Sequence, residues 1–228
     1  HLTQDSFEEN LRVPIAEKLL SRLAHLEHQI RDMLVFAKGD SRLAEKLEVS
    51  SFVEALQQAI EPVCQNAGVV CEWSISDINK VIMCNKETLV GACLNLINNS
   101  IEAGANAKQK NIRITIAVAA EGEDSISLTV ADNGPGIPSS NMNKVFEPFY
   151  TTKPQGTGLG LAVVQAVIKA HNGKFKVNST KKGVITHVCL PAYPSNQMSE
   201  SSRAQNKHAN FQADIGHHSS IKRQSACQ

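Results

Sequence analysis

From about Leu11 to Lys38 the apolar residues Ala16, Leu19, Leu23, Leu26, Ile30, Met33 and Ala37 recur at alternating intervals of three and four. That narrow seam predicts one helix packed against others, in a hairpin or an intermolecular bundle. A helix lying on its own domain would show a broader apolar stripe. Pro14 is tolerable in the first turn, and Gly39-Asp40 ends the helix.

Over about 45–192 the pattern changes to a mixture of strands and helices. Leu47-Glu48-Val49 predicts a short strand. Ser51 with Glu54 forms a capping-box signature for a helix carrying Phe52, Leu56, Ile60 and Val63. Val69–Ile75 and Val81–Cys84 read as two strands joined by a turn, and Glu87–Ala103 as a helix with Leu89, Cys93, Leu96 and Ile97 facing inward. Ile112, Ile114, Ile116 and Val118 alternate, as do Ile126, Leu128 and Val130, which predicts a hairpin around Glu121-Gly122. Gly160–His171 reads as a helix closed by Asn172-Gly173, followed by strands at Phe175–Val177 and Val184–Leu190 that Pro191 stops. The expected fold class is α+β: a two-layer α/β sandwich with one mixed sheet and its helices on one face, preceded by the helical segment. From Tyr193 to Gln228 the chain is rich in Ser, Gln, Asn and His, lacks periodicity, and is expected to be a disordered tail.

The composition narrows the function classes. Apolar residues make up 42% of the 228, which allows a packed core, and 23 basic against 22 acidic side chains leave a formal charge of +1. Neither a nucleic acid nor an anionic membrane surface is then expected as the main partner. Aromatics at 4% also argue against base-stacking platforms. The six cysteines, Cys64, Cys71, Cys84, Cys93, Cys189 and Cys227, show neither a CxxC pair nor a Cys/His ligand spacing, and read as free thiols of a reducing cytoplasm. No apolar run approaches the roughly 20 residues of a membrane helix. The chain starts His1-Leu2-Thr3-Gln4 and is expected to be a piece of something longer, whose parent could carry a membrane segment.

Three short stretches carry chemistry. Val130-Ala131-Asp132-Asn133-Gly134-Pro135-Gly136 sets an acidic side chain at a strand end before a two-glycine turn. An Asp held there can accept a hydrogen bond from an exocyclic amine, such as adenine's, while the glycines let another group approach the backbone. Gly156-Thr157-Gly158-Leu159-Gly160-Leu161 opens a helix, whose N-terminal amides and dipole suit phosphates; the spacing is neither a P-loop nor a dinucleotide fingerprint. Asn95 and Asn99 stand four apart on one helix face, and amide oxygens are suitable ligands for the Mg²⁺ that arrives with nucleotide phosphates.

In this order and at these separations, the Asn95/Asn99 helix, Asp132–Gly136, Phe146-Glu147-Pro148-Phe149-Tyr150-Thr151-Thr152-Lys153 and Gly156–Leu161 resemble the N, G1, F and G2 boxes of sensor histidine kinases. FEPFYTTKPQGTGLGLAVVQAVIKAHNG (146–173) is similar to short-lid kinases paired with nitrogen-regulation-type response regulators. Leu19–Lys38, especially the run RLAHLEHQIRDMLVFAK (22–38), is similar to the second dimerisation helix of the flagellar-regulatory branch. The resemblance implies a catalytic ATP-binding domain of the Bergerat (GHKL) type at 45–192, part of a dimerisation hairpin at 1–39, and a tail at 193–228. It further implies ATP and Mg²⁺ as cofactors, a homodimer, a response-regulator receiver domain as partner, and a cytoplasmic site of action.

Residue by residue, the resemblance assigns Asp132 to the adenine amino group, with Gly134 and Gly136 shaping the pocket floor. Asn99 would coordinate Mg²⁺ and Asn95 help hold phosphates or metal. Gly156, Thr157, Gly158, Leu159 and Gly160 would surround the β- and γ-phosphates, Lys153 would reach the γ-phosphate, and Phe146 and Phe149 would anchor the lid's base. Thr186 would contact adenine through water, although the family's Thr or Ser falls one place earlier, at Ile185. Glu102 stands where the family often carries Lys or Gln, which leaves its role open. His28-Gln29-Ile30-Arg31-Asp32-Met33 imitates the phosphoacceptor pattern without its proline and on what reads as the second helix, so the acceptor is expected upstream of residue 1 rather than at His25 or His28. Two alternatives stay open: another ATPase of the same superfamily, and a nucleotide-binding dimerisation or interaction module without kinase activity.

Overall fold

Burial of one face of an alternating sheet organises the chain. The computed structural model describes residues 44–153 and 156–195, together with positions 23, 27, 30, 33 and 34. The elements run β1 (Glu45–Glu48), α1 (Val49–Ala67), β2 (Val70–Ile75), β3 (Lys80–Cys84), α2 (Lys86–Asn106), β4 (Arg113–Ala120), β5 (Ser125–Asp132), α3 (Gly160–Ala170), β6 (Lys174–Thr180), β7 (Gly183–Pro191) and β8 (Tyr193–Pro194).

Five strands form one mixed sheet in the order β2-β4-β5-β7-β6, with β2 parallel to β4 and the other pairs antiparallel. On its inner face Ile114, Ile116, Val118, Ile126, Leu128, Val130, Val188 and Leu190 are all buried, while the intervening residues stay half exposed. That period of two is the expected consequence of packing a pleated sheet on one side only. The buried faces of the three helices complete the core: Phe52, Leu56 and Ile60 from α1, Leu89, Cys93, Leu96 and Ile97 from α2, Val163, Val164, Val167 and Ile168 from α3. The two-layer α+β sandwich is therefore as expected, and the hairpin turns at Gly122 in left-handed backbone.

Four expectations are corrected. Among the described residues there are two sheets rather than one, because β3 lies outside the main sheet and pairs antiparallel with β1 and β8. Consequently β2 and β3, expected as two strands joined by a turn, lie in different sheets: Cys71 and Trp73 lie beside Ile114 and Ile116 in the parallel ladder, while Val81, Ile82 and Cys84 are buried in the smaller sheet. Ser51 and Glu54 do not cap α1, which starts at Val49 with Glu48 as its N-cap and no side-chain cap. Val49 is buried with Phe52, Val53 and Leu56, so its apolar contact extends the helix one turn past the capping signature. The expected last strand also continues through Pro191, and β8 follows directly.

Asn85 caps α2 by accepting a hydrogen bond from the Thr88 amide at 3.1 Å. Its own backbone N–H donates to His171 Nε2 at 2.9 Å, and His171 Nδ1 lies 2.8 Å from the Val167 carbonyl. Since a carbonyl only accepts, the buried imidazole carries its proton on Nδ1 and joins the end of α3 to the start of α2.

Leu23, Ile30 and Met33 are helical with exposed side chains. The rest of the heptad seam, His25 and His28, and the tail beyond residue 195 lie outside the described residues. Among the described residues Cys64, Cys71, Cys84, Cys93 and Cys189 form no disulfide.

Burial pushes the Cys93 thiol up from 9.0 to about 12. Between those values the unfolded chain loses this proton while the folded chain keeps it, so the contribution to stability is complete below about pH 9 and falls as pH rises. Cys93→Ala is expected to be less stable than wild type at pH 7, with the gap in urea midpoint narrowing toward pH 10. A gap independent of pH would show that ionisation of this thiol is not linked to unfolding.

Candidate functional site

β5 carries its last residue, Asp132, out of the core at the mouth of the sandwich. Its Oδ1 accepts hydrogen bonds from the backbone N–H groups of Gly134 at 2.9 Å and Val184 at 3.2 Å. Oδ2 accepts from the Ser100 hydroxyl on α2 at 2.9 Å, a proton that the Leu96 carbonyl also approaches at 3.2 Å. Three donors from three parts of the chain thus hold the carboxylate in one orientation.

The turn after Asp132 is pinned on both sides. Asn133 accepts from the Arg113 amide at 2.8 Å and donates to the Asn111 carbonyl at 2.8 Å. The Ile137 amide donates to Ser179 Oγ at 2.6 Å. Gly136 lies at φ 75°, and a Cβ there would overlap the Thr180 carbonyl, so only glycine lets the turn close against the β6–β7 hairpin. Thr186, buried opposite Val130, donates to that residue's carbonyl at 3.1 Å. Its neighbour Ile185 is 47% exposed on the other face of the sheet, which leaves Thr186 as the hydroxyl on the inner face.

The second half of the site is built on α2 and α3. Asn95 is buried and Asn99 half buried on the same face of α2. A Cβ built on Gly160 would lie 3.6 Å from Asn99 Nδ2 and 4.0 Å from Asn95 Cγ, so the start of α3 rests against both amides. No side chain caps that helix end, and its N-cap is Leu159. The Leu159 side chain is completely buried, which leaves only its backbone to face a ligand.

The loop between β5 and α3 is tied at its base and folded over α2. Phe146 meets Phe175 edge-on with ring centroids 6.1 Å apart. The Phe149 amide donates to the Gly158 carbonyl at 2.9 Å, while its ring is 65% exposed and its φ is 68°. A Cβ on Gly158, itself at φ 68°, would overlap the Phe149–Tyr150 peptide. Lys153 reaches across from this loop: its Nζ donates to Asn99 Oδ1 at 2.7 Å and pairs with the Glu102 carboxylate.

Asn95, Asn99, Lys153 and Gly160 are therefore brought together, as are Asp132, Gly134, Gly136 and Thr186, and Ser100 links the two groups. Sequence reasoning missed Ser100 and the Lys153–Glu102 pair. Ser100 continues the inward series Leu89, Cys93, Leu96 and Ile97 on α2, and a polar residue in that series was the available signal. Among the described residues no cluster of three or more His, Cys, Asp or Glu side chains is placed to hold a metal.

Residues 84–194 match the histidine kinase-, DNA gyrase B-, and HSP90-like ATPase family. The chain is 37% identical over 200 residues to the sensor protein kinase FleS of Pseudomonas aeruginosa, covering 87% of this chain and 48% of that protein. It thus spans about half the length of that curated relative. Among solved structures, full-length ShkA in complex with AMPPNP superposes with a TM-score of 0.63 at 22% identity, over 75% of this chain and 36% of that one. The histidine kinase ThkA in complex with the response regulator protein TrrA gives 0.60 at 20% identity, over 78% and 50%. At those identities the likeness is one of fold.

Removing the Ser100 hydroxyl leaves Asp132 Oδ2 without its donor from α2. Ser100→Ala is expected to lower unfolding free energy by about 1–3 kcal/mol, against less than about 0.5 for Ser139→Ala on the exposed turn. Equal urea midpoints for the two variants would show that the link between α2 and Asp132 carries no stability.

Proposed function

We propose, for a chain that belongs to the sensor histidine kinases and carries their ATPase domain at residues 84–194, that it binds Mg·ATP and serves as the catalytic portion of a protein-histidine kinase. The γ-phosphoryl group passes from ATP to an imidazole nitrogen, ADP leaves, and the phosphoryl group is then relayed to an aspartate of a response-regulator receiver domain. The observation that carries this reading is the Ser100–Asp132 hydrogen bond, which sets an oriented carboxylate one residue along α2 from Asn99 and its lysine. An adenine acceptor and a phosphate-facing cation on one scaffold are what an ATP site requires.

In this reading Asp132 accepts the adenine amino proton, Gly134 and Gly136 form the floor beneath the ring, and Thr186 supplies a hydroxyl on the same face. The phosphates run toward the start of α3 and the residues Gly156, Thr157, Gly158, Leu159 and Gly160; to serve them, the Gly156 amide exchanges its bond to the Lys153 carbonyl and the Leu159 amide its bond to the Thr157 hydroxyl. Lys153 acts on the γ-phosphate as a point charge. The residues present fit Mg²⁺: the Asn99 amide oxygen already accepts a cation, the Lys153 ammonium, and Asn95 is its neighbour one turn away. When bound, Mg²⁺ would neutralise phosphate charge, with Asn99 as its protein ligand. The chain's own contribution is to orient the triphosphate and exclude misaligned attack, which is how phosphoryl transfer is chiefly accelerated.

The exposed helical residues Leu23, Ile30 and Met33 support homodimerisation through the segment 1–39, ahead of the catalytic unit at 45–192. The proposed place of action is the cytoplasm, where ATP is available; among the described residues no helix is long and apolar enough to cross a membrane.

Asp132→Asn is expected to weaken ATP binding by about 10- to 100-fold in calorimetric titration, the loss of one charge-assisted hydrogen bond. Near-normal affinity would remove the adenine role. Asn99→Ala is expected to weaken binding with Mg²⁺ much more than binding in EDTA, and equal losses would make Asn99 structural. The activity itself is tested with γ-labelled ATP, Mg²⁺ and a separately supplied first-helix peptide containing an acceptor histidine. Acid-labile, alkali-stable label on the peptide supports the kinase; label on the chain alone would make His25 or His28 the acceptor. Binding without label on either would favour an interaction module.

A further inference from the structure

Glu102 is a charged residue at the site that the nucleotide reading leaves without a task. It lies three residues after Asn99, on the same face of α2, and both side chains engage the Lys153 ammonium. We infer that Lys153 is the resident counter-cation of the Asn99 amide oxygen in the nucleotide-free protein, held there by Glu102, so that metal-nucleotide enters by displacing it. This rests on the nucleotide reading above and adds to it a regulated step: Glu102 is a positioning residue for Lys153.

The argument is one of exclusion and competition. An ammonium hydrogen-bonded at 2.7 Å occupies the approach to Asn99 Oδ1 that a ligated dication would take. Two cations on one neutral oxygen repel each other, so they exchange instead of sharing it. Once displaced, Lys153 needs another anion. The γ-phosphate supplies one; a diphosphate lacks that group and must hold off a lysine that Glu102 draws back onto Asn99.

The loop makes this exchange local. Its base is closed by the Phe149–Gly158 backbone hydrogen bond, and the stretch near Lys153 is turned by the Thr151 hydroxyl and by the Gly156 amide on the Lys153 carbonyl at 3.2 Å. The lysine can swing while the loop's ends stay fixed. The pair with Glu102 is partly solvent-exposed, with the carboxylate side chain 49% accessible, so the latch is weak and reversible. It therefore biases the choice between diphosphate and triphosphate without blocking the site.

The test is a calorimetric titration of the whole chain with ADP and with a non-hydrolysable ATP analogue, each in Mg²⁺ and in EDTA. The variants are Glu102→Gln, Lys153→Met and the double substitution. Glu102→Gln is expected to strengthen Mg·ADP binding by about two- to five-fold, with a smaller gain in EDTA, where nothing displaces the lysine from Asn99. In the Lys153→Met background the same substitution is expected to have no effect, because its target is gone. Lys153→Met alone is expected to strengthen Mg·ADP binding and to narrow the preference for the triphosphate.

An equal gain from Glu102→Gln with and without Lys153 would mean that Glu102 acts by charge alone, and would overturn the inference. Weaker Mg·ADP binding in Glu102→Gln would overturn it by making Glu102 a group that serves the metal. Unchanged affinities would reduce the pair to an inert surface contact. Each of these outcomes leaves nucleotide binding by the wild type intact; a wild-type chain that binds neither nucleotide would instead overturn the nucleotide reading itself.

Discussion

The hydrogen bond from Ser100 to Asp132 joins the helical layer to the sheet at the point where the core ends. A sheet covered on one face has no polar group to spare inside, so the strand's first acceptor outside the core must be satisfied by what lies beside it. Here the helix, the following turn and the start of β7 each contribute one donor. Because the carboxylate is bound on three sides, its orientation is settled before any ligand arrives. The positions of α2, the Gly134–Gly136 turn and the β6–β7 hairpin are all set with respect to it.

Much of this fold was legible because burial on one side writes a period of two into β4 and β5 and a period of three to four into α2. Ile114, Ile116 and Val118, and likewise Leu89, Cys93, Leu96 and Ile97, all lie in the core. The smaller sheet was not legible, since pairing partners far apart in sequence leave no local trace: β1 and β8 are short and meet only through β3. The false capping signature at Ser51 has a related cause. Local chemistry favoured one helix start, and burial of Val49, visible only once the layers are packed, moved it upstream.

The candidate site divides along the same line. Glycine turns and the paired asparagines announce themselves, because few other needs put such residues together. The Gly136 turn pressed on the Thr180 carbonyl and Gly158 folded under the Phe149–Tyr150 peptide show those glycines meeting steric demands. Contacts between side chains distant in the chain carry no such mark. Lys153 sits 54 positions from Asn99, and Ser100 sits 32 from Asp132. A lysine in a loop and a serine in a helix are ordinary until the fold brings their partners to them.

The buried imidazole of His171 has a mechanical consequence. It binds the end of α3 to the first residue before α2, while the other end of α3 rests on Asn95 and Asn99. The two helices therefore run in opposite directions, and α3 spans about 16 Å at 1.5 Å per residue. With the far end tied through this imidazole to the backbone before α2, sliding α3 along its neighbour would break the Asn85–His171 hydrogen bond. An adjustment at the glycine-rich end that keeps this bond is an angular swing about His171, a lever whose fulcrum lies at the opposite end of the helix.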